Sequence, residues 1–213
     1  AKLQIEEVLA KYQVPLIFGA ITESGEEIFN SSLYFVPGEG QVDQYDKKRP
    51  VPFAEYVPDR DFWYALAPDL VGLISRGYDF GSRDGIFEFE GSNLGVLICF
   101  EIAIDDIGRE LVSEGAEIIL SQTNNADFGR SDETFQQAAL ARLRAIETGR
   151  AIVNISTVGV SKVFLPNGEV VDELPIFEPG VMVQTLPLRT SITPAMLIGP
   201  TFDLIVNLAA LLL

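Results

Sequence analysis

Short apolar runs rich in β-branched residues alternate along this chain with segments of helical periodicity. The runs have the length and composition of buried strands, and they cover residues 14–22, 27–36, 94–99, 116–121 and 151–156. The helical segments cover residues 1–13, 105–113 and 132–148. Strands that alternate with helices favour a layered α/β domain.

Finer features follow from the same pattern. In the helical segment 132–148, four apolar residues recur at helical spacing and predict its apolar face: Phe135, Ala139, Leu143 and Ile146. Residues 43–58 are rich in charge and proline, which predicts an ordered loop rather than a regular element. The aromatic segment 59–84 is predicted to be irregular, and residues 181–186 are predicted to form the last strand.

The end of the chain differs from the rest. Residues 192–213 are almost entirely apolar, with a single charge at Asp203. A stretch of about 20 apolar residues is long enough to cross a bilayer. We therefore predict a globular domain over 1–190 and a transmembrane helix over 191–213, with a buried C-terminal core helix as the alternative. Because the chain starts at Ala1, we interpret it as a segment of a longer protein.

Charge and cysteine content exclude several classes of function. The 213 residues carry 15 basic and 31 acidic side chains, for a net charge of −16, which opposes binding to nucleic acid phosphates. The single cysteine excludes an internal disulfide and a multi-cysteine zinc site, and the lack of histidine excludes Ser-His-Asp and Cys-His catalysis. We expect no metal and no cofactor, and chemistry that depends on Cys, Lys, Glu, Asp, Tyr and the backbone.

Cys99 closes the apolar run LGVLIC shortly before a predicted helix. A side chain at such a strand end is exposed at the edge of the sheet, and a helix N-terminus favours a thiolate. The pattern is typical of a nucleophile, although a buried, inert cysteine gives the same signal.

A cluster of cations, Lys47-Lys48-Arg49, lies in the proline-rich loop. A lysine there can hold a developing oxyanion or stabilise a thiolate, and Glu55 could orient it. Glu101, two residues after Cys99, falls on the same side of the chain if the strand continues. Surface charges without a catalytic role produce the same pattern.

Together these motifs resemble the nitrilase superfamily and, within it, the membrane branch formed by the apolipoprotein N-acyltransferases. The resemblance lies in Tyr45-Asp46-Lys47, in the run VPFAEY that follows, and in GVLICFE around Cys99. It extends to the segment 128–150, to Asn154 and Gly159 and to the apolar tail, so that it covers nearly the whole chain.

The resemblance implies a nitrilase-like αββα sandwich with a C-terminal transmembrane helix, and a Glu-Lys-Cys triad. Lys47 corresponds to the triad lysine and Cys99 to the nucleophile. Glu55 and Glu101 correspond to two further glutamates, and Phe100 to an aromatic residue that packs while its backbone N–H points at the oxyanion. The triad glutamate of the family lies in a Pro-Glu motif that this chain lacks, so we expect it upstream, together with further transmembrane helices.

The implied function is transfer of a fatty acyl chain from a phospholipid, through a thioester on Cys99, to the N-terminal amine of an apolipoprotein. The implied location is the cell membrane, with the catalytic domain outside the cytoplasm. The segment 59–84 is then expected either to cover the site or to contact lipid. Two alternatives stay open: a soluble carbon–nitrogen hydrolase that acts on an amide or nitrile, and an inactive, acidic binding module tethered to the membrane.

Overall fold

The chain folds as two compact units, residues 1–87 and residues 88–213, called here the amino-terminal and the carboxy-terminal unit. The computed structural model describes residues 2–74 and 76–211. Strands and helices follow each other along the chain, and the predicted α/β architecture is confirmed.

The amino-terminal unit is built on an antiparallel sheet of three strands, which neighbour each other in chain order: β1 Leu16–Ser24, β2 Glu27–Val36 and β3 Gly40–Asp46. Gly25, with a φ of 63°, lies in the turn from β1 to β2, a backbone conformation that glycine adopts without strain. Helix α1, Lys2–Tyr12, contributes Leu9 to a small core with Leu33 and Phe35.

Regular elements extend into two segments that the sequence predicts to be irregular. Strand β3 continues to Asp46 because its residues pair with β2 as far as Ser31↔Asp46. Two short helices, α2 Arg60–Leu66 and α3 Pro68–Gly72, occupy part of 59–84. Proline is tolerated in the first turn of a helix, where its missing N–H has no partner to lose. The prediction of irregular structure is therefore wrong for these residues.

The carboxy-terminal unit contains a six-stranded sheet in the order β4-β5-β6-β7-β8-β9. The strands are β4 Ile86–Phe89, β5 Ser92–Ile98, β6 Ile118–Thr123, β7 Ala151–Ser156, β8 Ser161–Phe164 and β9 Val170–Leu174, and the boundary between the units falls within β4. The central strands β5, β6 and β7 are parallel, and Leu97, Ile119 and Ile152 on them are fully buried. Because β5 and β6 are parallel and Ile98 pairs with Gln122, their carboxyl ends lie side by side.

Two helices of this unit, α4 Asp105–Ser113 and α5 Glu133–Thr148, agree with the predicted bounds to within one residue. Gly149 ends α5 with a φ of 67°, as is usual for a residue just after a helix.

The predicted apolar face of α5 is not the face that α5 buries. Phe135, Leu143 and Ile146 are exposed, whereas α5 buries a face of small and polar residues: Thr134, Gln137, Ala138, Ala141, Arg144, Ala145 and Thr148. Small side chains allow a helix to approach its neighbours closely, and buried polar groups are tolerated where they find hydrogen-bond partners. Arg144, for example, pairs with Asp105 at 2.6 Å and with Glu147.

The predicted last strand over 181–186 is wrong. Residues 175–193, all of them described, form neither a helix nor a strand. Val181 and Val183 are each 83% exposed, so their β-branched side chains have no core to cover them. A high β-propensity does not make a strand without a partner to pair with.

The apolar tail forms helix α6, Pro194–Leu211. Within the residues that the structure describes, no helix is both long enough and apolar enough to cross a membrane, so the transmembrane helix predicted over 191–213 is not supported. Helix α6 begins after Thr193, which accepts a hydrogen bond from the Met196 N–H at 3.2 Å and caps the helix. Its 18 residues extend about 27 Å at 1.5 Å per residue. Residues 212 and 213 lie outside the described part of the chain.

Candidate active site

Cys99 occupies a sharp turn between a strand and a helix. Strand β5 ends at Ile98, and a 3-10 helix, Cys99–Ala103, follows without a linker. Cys99 has a φ of 55°, in the left-handed region that costs a residue with a Cβ about 1–3 kcal/mol. Its side chain is half-buried, so the sulfur is held at the strand end and stays accessible.

Glu101 stabilises this turn with its buried carboxylate. It is fully buried, and its Oε2 accepts a hydrogen bond from the Ile98 N–H at 2.9 Å. This contact satisfies a backbone donor at the end of β5 and thereby stabilises the turn that carries Cys99. Phe100, which lies between Cys99 and Glu101 in sequence, has a side chain that is 43% exposed.

A buried polar cluster begins at the sulfur. Gln137 donates from Nε2 to Cys99 Sγ at 3.8 Å, and its Oε1 lies 3.2 Å from Thr123 Oγ1. Thr123 Oγ1 lies 2.6 Å from Asn125 Oδ1, and Asn125 Nδ2 donates to Thr134 Oγ1 at 2.9 Å. The parallel register of β5 and β6 explains how Cys99 and Thr123 come together, since each stands at the carboxyl end of its strand.

Lys47 and Glu55 form a buried ion pair in the amino-terminal unit. Lys47 is 1% exposed, and its Nζ donates to Glu55 Oε2 at 2.6 Å. The same carboxylate accepts hydrogen bonds from the Val51 N–H at 2.7 Å and from Asn30 Nδ2 at 3.1 Å. A buried charge of this kind is tolerated because both partners are paired and the remaining acceptor sites are used.

The backbone around Lys47 is fixed on both sides. Its N–H donates to Asn30 O at 2.8 Å, and its carbonyl accepts from the Gly81 N–H at 2.9 Å. A Cβ on Gly81 would lie 1.8 Å from the backbone oxygen of Asp46, so only glycine permits this approach. The ammonium is therefore directed inwards by the backbone as well as by Glu55.

Lys48 lies in a different environment. It pairs with Asp84 at 2.7 Å, and the Asp84 side chain is 40% exposed. The two adjacent lysines thus differ: Lys47 belongs to a buried ion pair, and Lys48 belongs to a partly solvated one.

Tyr78 lies next to Glu55, since its N–H donates to the Glu55 carbonyl at 2.7 Å. Burial of the phenol, and then the negative charge of Glu55, raise the pKa of Tyr78 above its ordinary 10.0. The phenol therefore keeps its proton at neutral pH and can serve as a hydrogen-bond donor.

Each unit brings together two of the residues singled out from the sequence. Lys47 and Glu55 form an ion pair, and Cys99 and Glu101 share one turn. The catalytic roles of these residues, and the approach of Lys47 to Cys99, stay predictions. Sequence reasoning misses Asn30 and Gln137, because an amide in the middle of a strand or helix has no signature in the sequence.

Metal ligands do not cluster in the part of the chain that the structure describes. Among residues 2–74 and 76–211, no three Cys, Asp or Glu side chains lie close enough together to hold a metal ion.

Comparison with curated proteins finds relatives named apolipoprotein N-acyltransferase. The one from Mycolicibacterium smegmatis is 29% identical over 217 residues, which cover 98% of this chain and 36% of that protein. "Apolipoprotein N-acyltransferase 1" of Treponema pallidum is 34% identical over 166 residues, which cover 76% of this chain and 30% of that protein. The chain therefore spans about a third of the length of these relatives.

Comparison with solved structures identifies the same fold in an amidase from Nesterenkonia sp. AN1, of the nitrilase superfamily. The match has a TM-score of 0.63 and 18% identity, and covers 83% of this chain and 63% of the amidase. Another structure of that amidase shows acrylamide added at its active-site cysteine. At this level of identity the likeness concerns the fold.

A family model gives the broadest assignment. The model described as carbon-nitrogen hydrolase matches residues 2–193, which include both the Lys47–Glu55 pair and the turn at Cys99. With its α/β fold and a cysteine at the strand end, the chain belongs to the carbon–nitrogen hydrolase family.

Proposed function

We propose that this chain is the catalytic part of an N-acyltransferase that moves a fatty acyl chain from a phospholipid to the N-terminal amine of an apolipoprotein. The observation that carries the proposal is the match to apolipoprotein N-acyltransferases, which covers 98% of this chain in the protein from M. smegmatis. The strained, half-buried Cys99 and the buried Lys47–Glu55 pair supply the chemistry that such a reaction needs.

The reaction takes place in two steps with a covalent intermediate. The Cys99 thiolate attacks the ester carbonyl of the phospholipid, the C–O bond breaks, and the lysophospholipid leaves after its oxygen takes a proton. The amine of the acceptor then attacks the thioester, the C–S bond breaks, and the amine loses a proton as the amide forms. A thioester intermediate splits one difficult acyl transfer into two easier ones.

Lys47 is the proposed oxyanion partner. We assign its ammonium to a position beside Cys99, where it stabilises the negative charge of both tetrahedral intermediates. Glu55 orients the ammonium through the 2.6 Å contact. The proton acceptor of the triad is assigned to a glutamate upstream of Ala1, as the family resemblance implies.

The substrate classes agree with an unusual surface of the amino-terminal unit. Large apolar side chains on and beside α2 and α3 are exposed: Phe53, Phe62, Trp63, Tyr64, Leu66, Leu70 and Leu73. An exposed apolar patch marks a site for a protein, a ligand or a membrane. We assign these residues either to contact with acyl chains or to a cover over the site. We assign the protein to the cell membrane and, by its family resemblance, its catalytic part to the side outside the cytoplasm.

The test uses the full-length protein with a phospholipid that carries a labelled acyl chain. Without acceptor, the label is expected on the peptide that contains Cys99, in a form that hydroxylamine releases, as for a thioester. Added lipoprotein peptide is expected to take the label at its N-terminal amine, and the Cys99→Ala variant is expected to do neither. Release of ammonia from simple amides without acyl transfer would instead identify a carbon–nitrogen hydrolase, and no reaction in either assay would identify an inactive binding module.

A further inference from the structure

Gln137 contacts the sulfur of Cys99 and is not among the site residues expected from the sequence. It lies on the buried polar face of α5, is 8% exposed, and directs its Nε2 to Cys99 Sγ at 3.8 Å. Thiolate sulfur is large and accepts hydrogen bonds at longer distances than oxygen does. An amide N–H in this position favours the charged form of the sulfur over the neutral thiol.

The Gln137 amide is held by a chain of buried polar groups. Thr123 Oγ1 lies next to Gln137 Oε1, Asn125 lies next to Thr123, and Thr134 follows Asn125. The chain ends at the backbone, where the Val160 N–H donates to Thr134 Oγ1 at 2.8 Å. A backbone N–H can only donate, so Thr134 Oγ1 accepts from Val160, and its own hydrogen stays available for Asn125.

The hydrogen bonds that link these four side chains can be arranged in two alternative directions, as a count of the available hydrogens shows. The Thr123 hydroxyl has one hydrogen and faces two amide oxygens, Asn125 Oδ1 at 2.6 Å and Gln137 Oε1 at 3.2 Å. The hydroxyl cannot donate to both oxygens. One of the two side-chain amides must therefore be flipped about its last bond, which exchanges the positions of its oxygen and nitrogen. If Gln137 turns, its oxygen faces the sulfur and suits only a protonated thiol. If Asn125 turns, every group is paired and the Gln137 NH₂ stays on the sulfur.

We propose that Gln137 is a further residue of the reaction site, whose NH₂ group stabilises the Cys99 thiolate, with Asn125 turned so that its oxygen accepts from the Thr134 hydroxyl. The proposal rests on the assignment of Cys99 as nucleophile under the proposed function. The same NH₂ group stabilises the sulfur when it leaves the thioester in the second step. A chain of hydrogen bonds that all point in one direction strengthens its last member through mutual polarisation.

Close packing of the backbone supports the chain at its far end. A Cβ on Gly159 would lie 2.2 Å from Thr134 Oγ1 and 2.8 Å from Asn125 Nδ2. Only glycine allows the backbone to approach both groups so closely. The side chains of Thr134 and Asn125 therefore have no space to move away from this backbone. The arrangement is fixed on one side by Gly159 and on the other by the sheet.

The experiment is the pH dependence of iodoacetamide alkylation in the full-length protein, followed by mass spectrometry of the peptide that contains Cys99. Gln137→Met keeps the length of the side chain and removes the donor, and we expect it to move the midpoint of the pH–rate profile up by about one unit. Below both midpoints, the rate should fall about tenfold. Gln137→Glu should move the midpoint further up, because a carboxylate repels the thiolate.

The control is Gln136→Met, which makes the same change at the adjacent, exposed position of α5 and should leave the midpoint unchanged. Thr123→Val provides a second variant in case Gln137→Met fails to fold. It should raise the midpoint of the pH–rate profile, whereas Thr123→Ser should restore the wild-type midpoint.

A purely structural role of Gln137 would change the stability of the protein and not the midpoint. If wild-type Cys99 reacts in the folded protein while Gln137→Met, or Thr123→Val in its place, has the wild-type midpoint, the role of Gln137 is overturned and the nucleophile stands. If wild-type Cys99 is inert until the protein is denatured, both assignments fail.

Discussion

The Lys47 environment and the Cys99 environment, each within its own unit, are held by opposite means. Lys47 is fully enclosed and makes a short contact of 2.6 Å to a carboxylate that two further donors fix in place. Cys99 is half-buried, has a left-handed backbone and makes a side-chain contact of 3.8 Å to a neutral amide. The cation is positioned by charge-assisted hydrogen bonds, and the sulfur is positioned by the backbone.

This difference follows from what each group needs. A buried ammonium is stable only when it is paired, so its position has to be fixed in advance. A nucleophile must stay accessible to an incoming acyl group, so strong side-chain contacts would compete with the reaction. Backbone geometry fixes the position of the sulfur and leaves the sulfur itself free of strong contacts.

The largest expected effect comes from removing the cation. Lys47→Met should lower acyl transfer by the full-length protein by roughly a thousandfold, because an oxyanion partner is lost. It should also lower the free energy of unfolding by about 3–5 kcal/mol, since Glu55 is left without its counterion. Acyl transfer to a lipoprotein peptide and thermal unfolding measure the two effects.

Lys48→Met is the matched control, one position away. Its partner Asp84 is partly exposed, so the stability change should be below about 1 kcal/mol and acyl transfer should be retained. Equal losses in the two variants would contradict the assignment of Lys47.

A smaller effect should distinguish backbone strain from side-chain contacts at Cys99. Cys99→Gly should be more stable than Cys99→Ala by about 1 kcal/mol, because glycine adopts the φ of 55° without a penalty. In α5, at the exposed and helical Ala139, the change to glycine should instead destabilise by about 1 kcal/mol. Thermal unfolding of the full-length variants measures both differences, and a less stable Cys99→Gly would mean that the turn is not strained.

The smallest effect concerns Tyr78. Its folded-state pKa is raised, first by burial and then by Glu55, so the folded protein holds the proton more tightly than the unfolded chain does. The contribution to stability is therefore complete below the ordinary pKa of 10.0 and is lost as the pH rises from there through the folded-state pKa.

Tyr78→Phe should accordingly flatten the decline of Tm between about pH 9 and pH 11, where tyrosine titrates. Tyr64→Phe removes an exposed phenol and should leave the decline as it is in the wild type. The same slope in the Tyr78 and Tyr64 variants would show that burial and Glu55 do not raise the pKa of Tyr78.

Local patterns in the sequence predicted the elements that depend on local signals. The strand Ala151–Ser156 and the helix Asp105–Ser113 have the predicted bounds, because turn residues and apolar periodicity mark them directly. The turn at Cys99 was visible for the same reason.

Features that depend on distant partners could not be predicted in this way. Periodicity arguments equate apolar with buried and therefore predict a buried face of Phe135, Ala139, Leu143 and Ile146. Helix α5 instead buries residues such as Gln137, which find polar partners elsewhere in the fold. The stretch 181–186 has strand composition and no strand to pair with. Asn30 reaches Glu55 across 25 positions of sequence, a contact that only the folded chain creates.

The enclosure of Lys47 has a consequence for chemical selectivity. An enzyme that carries an acyl thioester and delivers it to amines risks acylating its own lysines, and the proposed site places one of them beside the sulfur. The ammonium that donates to Glu55 at 2.6 Å has no lone pair with which to attack a carbonyl. Under the proposed function, the same ion pair that prepares Lys47 to stabilise an oxyanion also keeps it from becoming a substrate, and the acyl chain is left for an amine that arrives from outside.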